Sequence, residues 1–357
     1  MGLLPSCIDA KGAIAMAKFY YGGQAVMEGV MMRGRHSAAV AVRQPNGAIS
    51  MYEEVLNSKL YRSKLFRLPF LRGILLLWEM LVLGTRMMTL SANIASGAVN
   101  PENVAAAAQD NKASQQEVEA SARAEEPVKI GGASLVVALL FSLTFAIAIF
   151  FVGPLLLTSL LHNQIGEDWL SLLFEGVVRL LLLIGYLFLI GRIPDIQRVF
   201  GYHGAEHKAI NTLESGEPLD VAHVRQASRV HTRCGTGFLL IVMVVSIFVF
   251  ALVGSPSLLI KVGSRIILVP VVAGIAYELM RLGAANYRFR VVRWLLAPGL
   301  ALQGLTTREP DDGMLECAIV ALKRVLVYDG NEPVAGMSAM QQKVELSESV
   351  QGTIPFK

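Results

Sequence analysis

Ala133–Leu161 reads ASLVVALLFSLTFAIAIFFVGPLLLTSLL and carries no charged side chain from end to end. A stretch of that length crosses about 30 Å of hydrocarbon with some tilt. The rest of the chain agrees: 357 residues with 54% hydrophobic content and a mean hydropathy of +0.51 are too apolar for an ordinary soluble domain. Three further segments read as spans: Trp169–Gly191, Phe238–Gly254 and Ile266–Leu282. The last is the least apolar, with Lys261 and Arg265 interrupting its start and Glu278 and Arg281 its end. Phe70–Leu90 carries Arg72, Glu79 and Arg86 among its apolar residues, which predicts an interfacial or re-entrant amphipathic helix. The expected fold is mainly α, a polytopic membrane protein with about four transmembrane helices, one interfacial helix and a small α+β cytosolic part.

Four spans put the N-terminus, the segment between spans two and three, and the C-terminus on one side of the cell membrane. Arg192, Arg198, Lys208, Arg225, Arg229 and Arg233 lie in that middle segment, and Arg281, Arg288, Arg290 and Arg293 open the tail. On the other side, His162–Asp168 has no basic residue and Ser255–Arg265 has only Lys261 and Arg265. The positive-inside rule therefore predicts a multi-pass protein with both termini cytoplasmic. That asymmetry accounts for the formal net charge of +4, so a nucleic-acid partner is not needed to explain it. Cys7, Cys234 and Cys317 are too few and too scattered for a disulfide framework, which suits a reducing face. No charged n-region followed by an apolar core is visible in residues 1–20.

The pattern divides the chain as follows. Residues 1–69 form an N-terminal cytosolic element in which Ala38–Val42 and Ala48–Val55 flank Gln44-Pro-Asn-Gly47, a hairpin signal. Gly22 and Gly23 read as a tight turn. Residues 70–92 are the interfacial or re-entrant helix. Residues 98–130, rich in Ala, Gln, Glu and Ser, read as a flexible linker. The first helix pair occupies 132–191, a cytosolic motif loop 192–236, and the second pair 237–283. Gly153-Pro154 and Pro270 are expected to break their helices. Residues 284–325 begin as a basic amphipathic surface segment and end in a helix opened by Glu309-Pro310-Asp311-Asp312. Residues 330–357 read as disordered.

Candidate chemistry gathers at His203-Gly-Ala-Glu206-His207. On a helix His203 and His207 stand at i and i+4 with Glu206 at i+3, so two imidazoles can bind one ion while the carboxylate handles a proton. The order H-x-x-E-H is that of the inverzincin proteases. Three other pieces are candidates to converge on it: His231 and Cys234 at the start of the third span, Glu278 near the end of the fourth, and Glu214 further along the motif segment. The plainer readings are a solvated polar helix for the two histidines, a turn around His231 and Cys234, and a local ion pair of Glu278 with Arg281. Glu175 and Arg179, i and i+4 in the second span, read as an internal ion pair. His223 reads as a surface residue.

These residues make the chain similar to the YqhQ-like family, bacterial integral membrane proteins described as predicted metal-dependent enzymes. The resemblance is carried by Gly22–Gly34, Tyr202–Lys208, His231–Thr236 and Thr306–Asp312, four matches in order. It implies that Gln24, Glu28, Arg33 and Glu309 belong to a shared core and line the same cytosolic cavity. The expected function is an integral membrane metal-dependent hydrolase acting at the cytoplasmic face on a peptide or lipid-linked substrate. A divalent metal, zinc by its ligands, is expected on His203, His207 and a third residue among Glu278, His231 and Cys234. Glu206 is then the general base for the metal's water, and Arg233 stabilises developing negative charge. The competing expectation is a non-catalytic scaffold or transporter whose metal only staples the loop to the spans.

Overall fold

The structure, a computed structural model, describes residues 21–56, 68–97, 132–161, 168–253 and 257–330. The expected linker at 98–130, nearly all of the expected disordered tail, Cys7 and His162 lie outside the described residues.

A four-stranded antiparallel meander opens the described chain: β1 (Gly22–Val26), β2 (Gly29–Arg33), β3 (Ser37–Arg43) and β4 (Ile49–Val55), in the order β1-β2-β3-β4. The expected hairpin is β3–β4, with Gly47 at φ +85° in its loop. Gly22 and Gly23, expected in a tight turn, are both in strand β1. Alternate residues of β2 and β3 enter two different cores. Val30, Met32, Ala39 and Ala41 face one side, Met31, Ala38, Val40 and Val42 the other. A strand buried on both faces reads as an unbroken run of small and apolar residues, which is why GVMMR and SAAVAV show no alternation.

Helix α1 (Leu71–Ala95) covers one face through Leu83, Met87 and Ile94. The other face packs on α5 (Pro194–Ser215) and the C-terminal helix α10 (Asp312–Tyr328). β4 is tied to both layers, Glu54 to Arg86 of α1 at 3.1 Å and Glu53 to Arg324 of α10 at 2.8 Å.

The second body is a helical bundle. Its first span runs through α2 (Gly132–Ile147), a π-helical turn Ala148–Val152 and α3 (Gly153–Leu160). Pro154 lies just after the π turn, so the helix adjusts there instead of ending. α4 (Asp168–Ile190), α7 (Gly235–Ala251), α8 (Leu258–Ala285) and α9 (Arg290–Thr306) complete the bundle around Leu183, Met243, Phe250 and Val272. The short helix α6 (Val221–Gln226) sits between α5 and α7 in sequence. Pro270, expected to break its helix, lies inside α8, which continues past it.

The chain is thus a mainly α polytopic membrane protein with a small α+β part. Among the described residues, four helices are long and apolar enough to cross a membrane: Leu71–Ala95, Val137–Leu160, Leu170–Ile190 and Leu258–Ala285. The set differs from the expected one at two places. α7, read as a span, has 17 residues, while α1, read as interfacial, qualifies by length and composition. Packing distinguishes α1 from the others, since its second half lies on the sheet and its Arg86 and Glu79 pair with sheet residues.

Inside the bundle the expected pair Glu175–Arg179 is present, and a third member joins it. Arg265 is not an interruption at the mouth of a span: α8 begins at Leu258, so Arg265 is interior, 2% exposed, and donates to Glu175 at 2.9 Å. Arg179 also reaches Ser246 at 2.6 Å and the Phe150 carbonyl at 3.0 Å. The Phe250 ring lies under both guanidinium groups, at 5.2 and 4.1 Å. One carboxylate thus faces two cations, with a carbonyl, a hydroxyl and a π-face sharing the remainder. Removing one partner of a buried pair costs about 3–5 kcal/mol. Glu175→Gln is therefore expected to lower the thermal unfolding midpoint in detergent sharply. Exposed Glu217→Gln should leave stability within about 0.5 kcal/mol. Equal midpoints for the two variants would remove the network's structural role.

Candidate metal centre

Helix α5 carries the motif. Pro194 occupies its first turn and Gly216, at φ +75°, ends it in the left-handed region, so the helix spans the whole motif without a break. His203 and His207 consequently share a face, with ring centroids 4.4 Å apart. α5 is held close to the segment after α9: a Cβ on Gly204 would lie 2.2 Å from the Arg308 carbonyl oxygen.

Each imidazole is oriented through its Nδ1. His203 Nδ1–H donates to the Thr306 carbonyl at 2.9 Å, and His207 Nδ1–H to the Arg229 carbonyl at 2.5 Å. A committed Nδ1–H leaves the Nε2 lone pair as the metal-binding position. His203 Nε2 is 3.4 Å from Cys234 Sγ. Cys234 caps the N-terminus of α7, its sulfur accepting the Thr236 amide, where the helix dipole favours an anionic ligand. Ligand atoms of His203, His207 and Cys234 all lie within 4.8 Å of one another. Two imidazole nitrogens and a cysteine sulfur make a donor set that suits zinc. The residues present therefore fit the expected metal.

Glu206 is 4% exposed, and its carboxylate stands 3.5 Å from His207 Nε2. The sheet makes room for it: a Cβ on Gly23 of β1 would sit 2.7 Å from Glu206 Cγ. Here the glycine serves close approach between strand and helix, and the reading of Gly22-Gly23 as a turn is corrected.

The other candidates fall elsewhere. His231 is buried, its ring centroid 5.6 Å from that of His207, and its main chain is fixed by Gln303 through two hydrogen bonds, at 3.0 and 2.8 Å. Its Nε2 faces Arg233 at 3.1 Å and Glu214 at 3.8 Å. It thus stands beside the three-ligand group, not within it. Arg233 forms an ion pair with Glu214. Burial raises the Glu214 pKa, but His231 and Arg233 together outweigh it and hold the carboxyl below its ordinary value. Glu278 does not join the centre. It pairs with Arg72 of α1, accepting from Nε at 2.7 Å, and takes the Phe70 amide at 3.3 Å. Its partner is thus Arg72, 206 positions away in the chain, where a local pair with Arg281 is the plainer expectation, and no periodicity announces it.

A cleft of about 570 Å³ opens in front of the centre. Gln24 and Arg33 line it, as the resemblance implied, with Glu206, Arg233 and Tyr277. Glu28 and Glu309 do not. Glu28 binds Arg198 at 2.6 Å, which holds its carboxyl below the usual range. Glu309 is exposed and pairs with Lys208 at 2.7 Å and Arg229 at 3.1 Å. Sequence reasoning missed Gln303 and the carbonyls of Thr306 and Arg229. The carbonyls carry no residue-type signal at all. His223, expected at the surface, is there, bonded to Asp220.

Comparison with known proteins agrees with the motif-level resemblance. A family model described as "Protein of unknown function (DUF1385)" matches residues 68–328. The chain is 35% identical over 308 residues to the "Uncharacterized protein YqhQ" of Bacillus subtilis (strain 168), covering 86% of this chain and 92% of the relative. No solved structure matches.

The geometry sets an outcome for metal analysis. Full-length protein purified in detergent should carry about one zinc-like ion per chain by elemental analysis. His203→Ala, His207→Ala and Cys234→Ser should each lose most of it, and Glu278→Gln should keep it. Metal retained by all three ligand variants would dissolve the centre.

Proposed function

The chain belongs to the DUF1385 family, which assigns no chemistry, and from that premise we propose a metal-dependent hydrolase acting where the membrane bundle meets the α+β part. The observation that carries the reading is a three-ligand cluster, His203, His207 and Cys234, with a buried carboxylate beside it in an open cleft. A structural zinc site is closed by four protein ligands, whereas a catalytic one keeps a position open. An ion held there would supply Lewis acidity and acidify a water molecule.

The chain's own groups supply the rest. Glu206 takes the proton of the attacking water as its oxygen bonds to the acyl centre, and delivers that proton to the leaving group as the scissile bond breaks. The Nδ1–H donations from His203 and His207 keep both rings from turning away during that cycle. Arg233 lines the cleft and is held by Glu214, which offsets part of the positive charge it could offer a developing anion. The substrate is a peptide or lipid-linked compound reaching the cleft from the membrane surface. The Lys and Arg distribution supports a cytoplasmic placement of this face and of both termini, with α1 lying along the membrane surface.

Two measurements test this reading. Vesicles holding wild-type or Glu206→Gln protein are incubated with membranes lacking this chain, and the products are followed by mass spectrometry. New hydrolysis products should form with the wild type and slow about 10²–10⁴-fold with Glu206→Gln at unchanged metal content. Identical products and rates at equal metal content would leave the ion as a staple of a scaffold. For orientation, a fluorescent protein fused at the C-terminus should fluoresce, and alkaline phosphatase inserted between residues 161 and 168 should be active. The reverse pattern would invert the topology.

A further inference from the structure

We infer that the cleft receives an extended polypeptide as a fifth strand on the open edge of β1, so that a peptide segment and not a lipid headgroup is the substrate; this rests on the hydrolase reading above. β1 is outermost in the sheet, with no strand on its far side among the described residues. The phase of the ladder fixes which of its groups face outward. Gly34 N–H donates to the Ser37 carbonyl and Arg43 N–H to the Glu28 carbonyl, both at 2.8 Å, so the even-numbered residues of β2 face β3. Arg33, Met31 and Gly29 then face β1 and bond Gly22, Gln24 and Val26. The N–H and C=O of Gly23 and Ala25 point the other way, and among the described residues nothing bonds them.

That edge is the wall of the cleft. Tyr21, Gly22, Gly23, Gln24 and Ala25 all line it. Side chains on a strand alternate between faces, so five consecutive lining residues mean that the cleft runs along the edge. Two of the five are glycines, which let a second backbone approach. Glu206 packs directly on Gly23, so a chain hydrogen-bonded along this edge passes the proposed base and the three ligands. Strand addition uses main-chain hydrogen bonds for affinity and alternate pockets for side chains. Leu76, Leu77 and Met80 of α1, with Met280 of α8, add an apolar part to the lining that suits large apolar side chains. A phosphate headgroup is matched less well, because Arg33 is paired with Glu79 and Arg233 with Glu214, leaving the cleft's cations balanced.

The test uses binding as its readout. Full-length Glu206→Gln protein in nanodiscs, with its metal content verified, is presented with a random heptapeptide library. The best-held peptide is remade with a single N-methyl amide at each position in turn. Binding followed by fluorescence anisotropy should weaken about tenfold or more at alternate positions, where an amide would meet β1, and little between them. Methylation tolerated throughout, losses at consecutive positions, or no peptide held by metal-bearing protein would each overturn the inference. Hydrolysis of a lipid-linked compound in that last case would leave the hydrolase reading standing. Membranes unchanged by wild type relative to Glu206→Gln would sink the hydrolase reading itself.

Discussion

The centre depends on two hydrogen bonds from imidazole to main chain. His203 donates to Thr306 and His207 to Arg229, and each bond does two things. It selects the tautomer that turns Nε2 inward, and it ties α5 to a different neighbouring segment. Thr306 closes α9 of the bundle, while Arg229 leads into Cys234 at the head of α7. The bonds that aim the ligands therefore also hold together the parts of the protein that supply them. Because the acceptors are carbonyls, side-chain replacement at 229 or 306 need not disturb them, whereas a shift of either segment would.

Two bodies meet at this place, each with its own core. The sheet, α1, α5 and α10 pack through small and apolar residues on both sheet faces. The bundle packs around aromatic and aliphatic side chains and is cross-braced by Glu175, Arg179 and Arg265. A site at such a seam can have rigid walls on both sides and still open between them. Gly23 and Gly204 permit the approach, one letting Glu206 against β1 and the other letting α5 against the segment at 308. Gln303, 1% exposed, performs the same service for the main chain at His231.

The errors of sequence reading share one cause. Glu278 reads as a local pair with Arg281 and Arg265 as an interruption at the start of a span, yet each has its partner in another helix, Arg72 and Glu175 respectively. Gly22-Gly23 carries the same letters whether the chain turns or another side chain needs the room. α1 carries charges that suggest a surface helix, yet its length and composition match a span; the difference lies in what its second half covers.

Local pattern determined a good deal by itself. Apolar length announced three of the four membrane-length helices, Asn46-Gly47 the β3–β4 hairpin, and the i, i+4 spacing the shared face of His203 and His207, since each depends only on residues close in the chain. The tertiary structure alone decided that Cys234 joins those histidines, that Glu278 does not, and that β1 borders the cleft. Such choices are made between segments far apart in sequence, by hydrogen bonds to carbonyls and by the fit of one backbone against another. The first leaves no mark on residue type, and the second leaves only a glycine, which reads equally well as a turn.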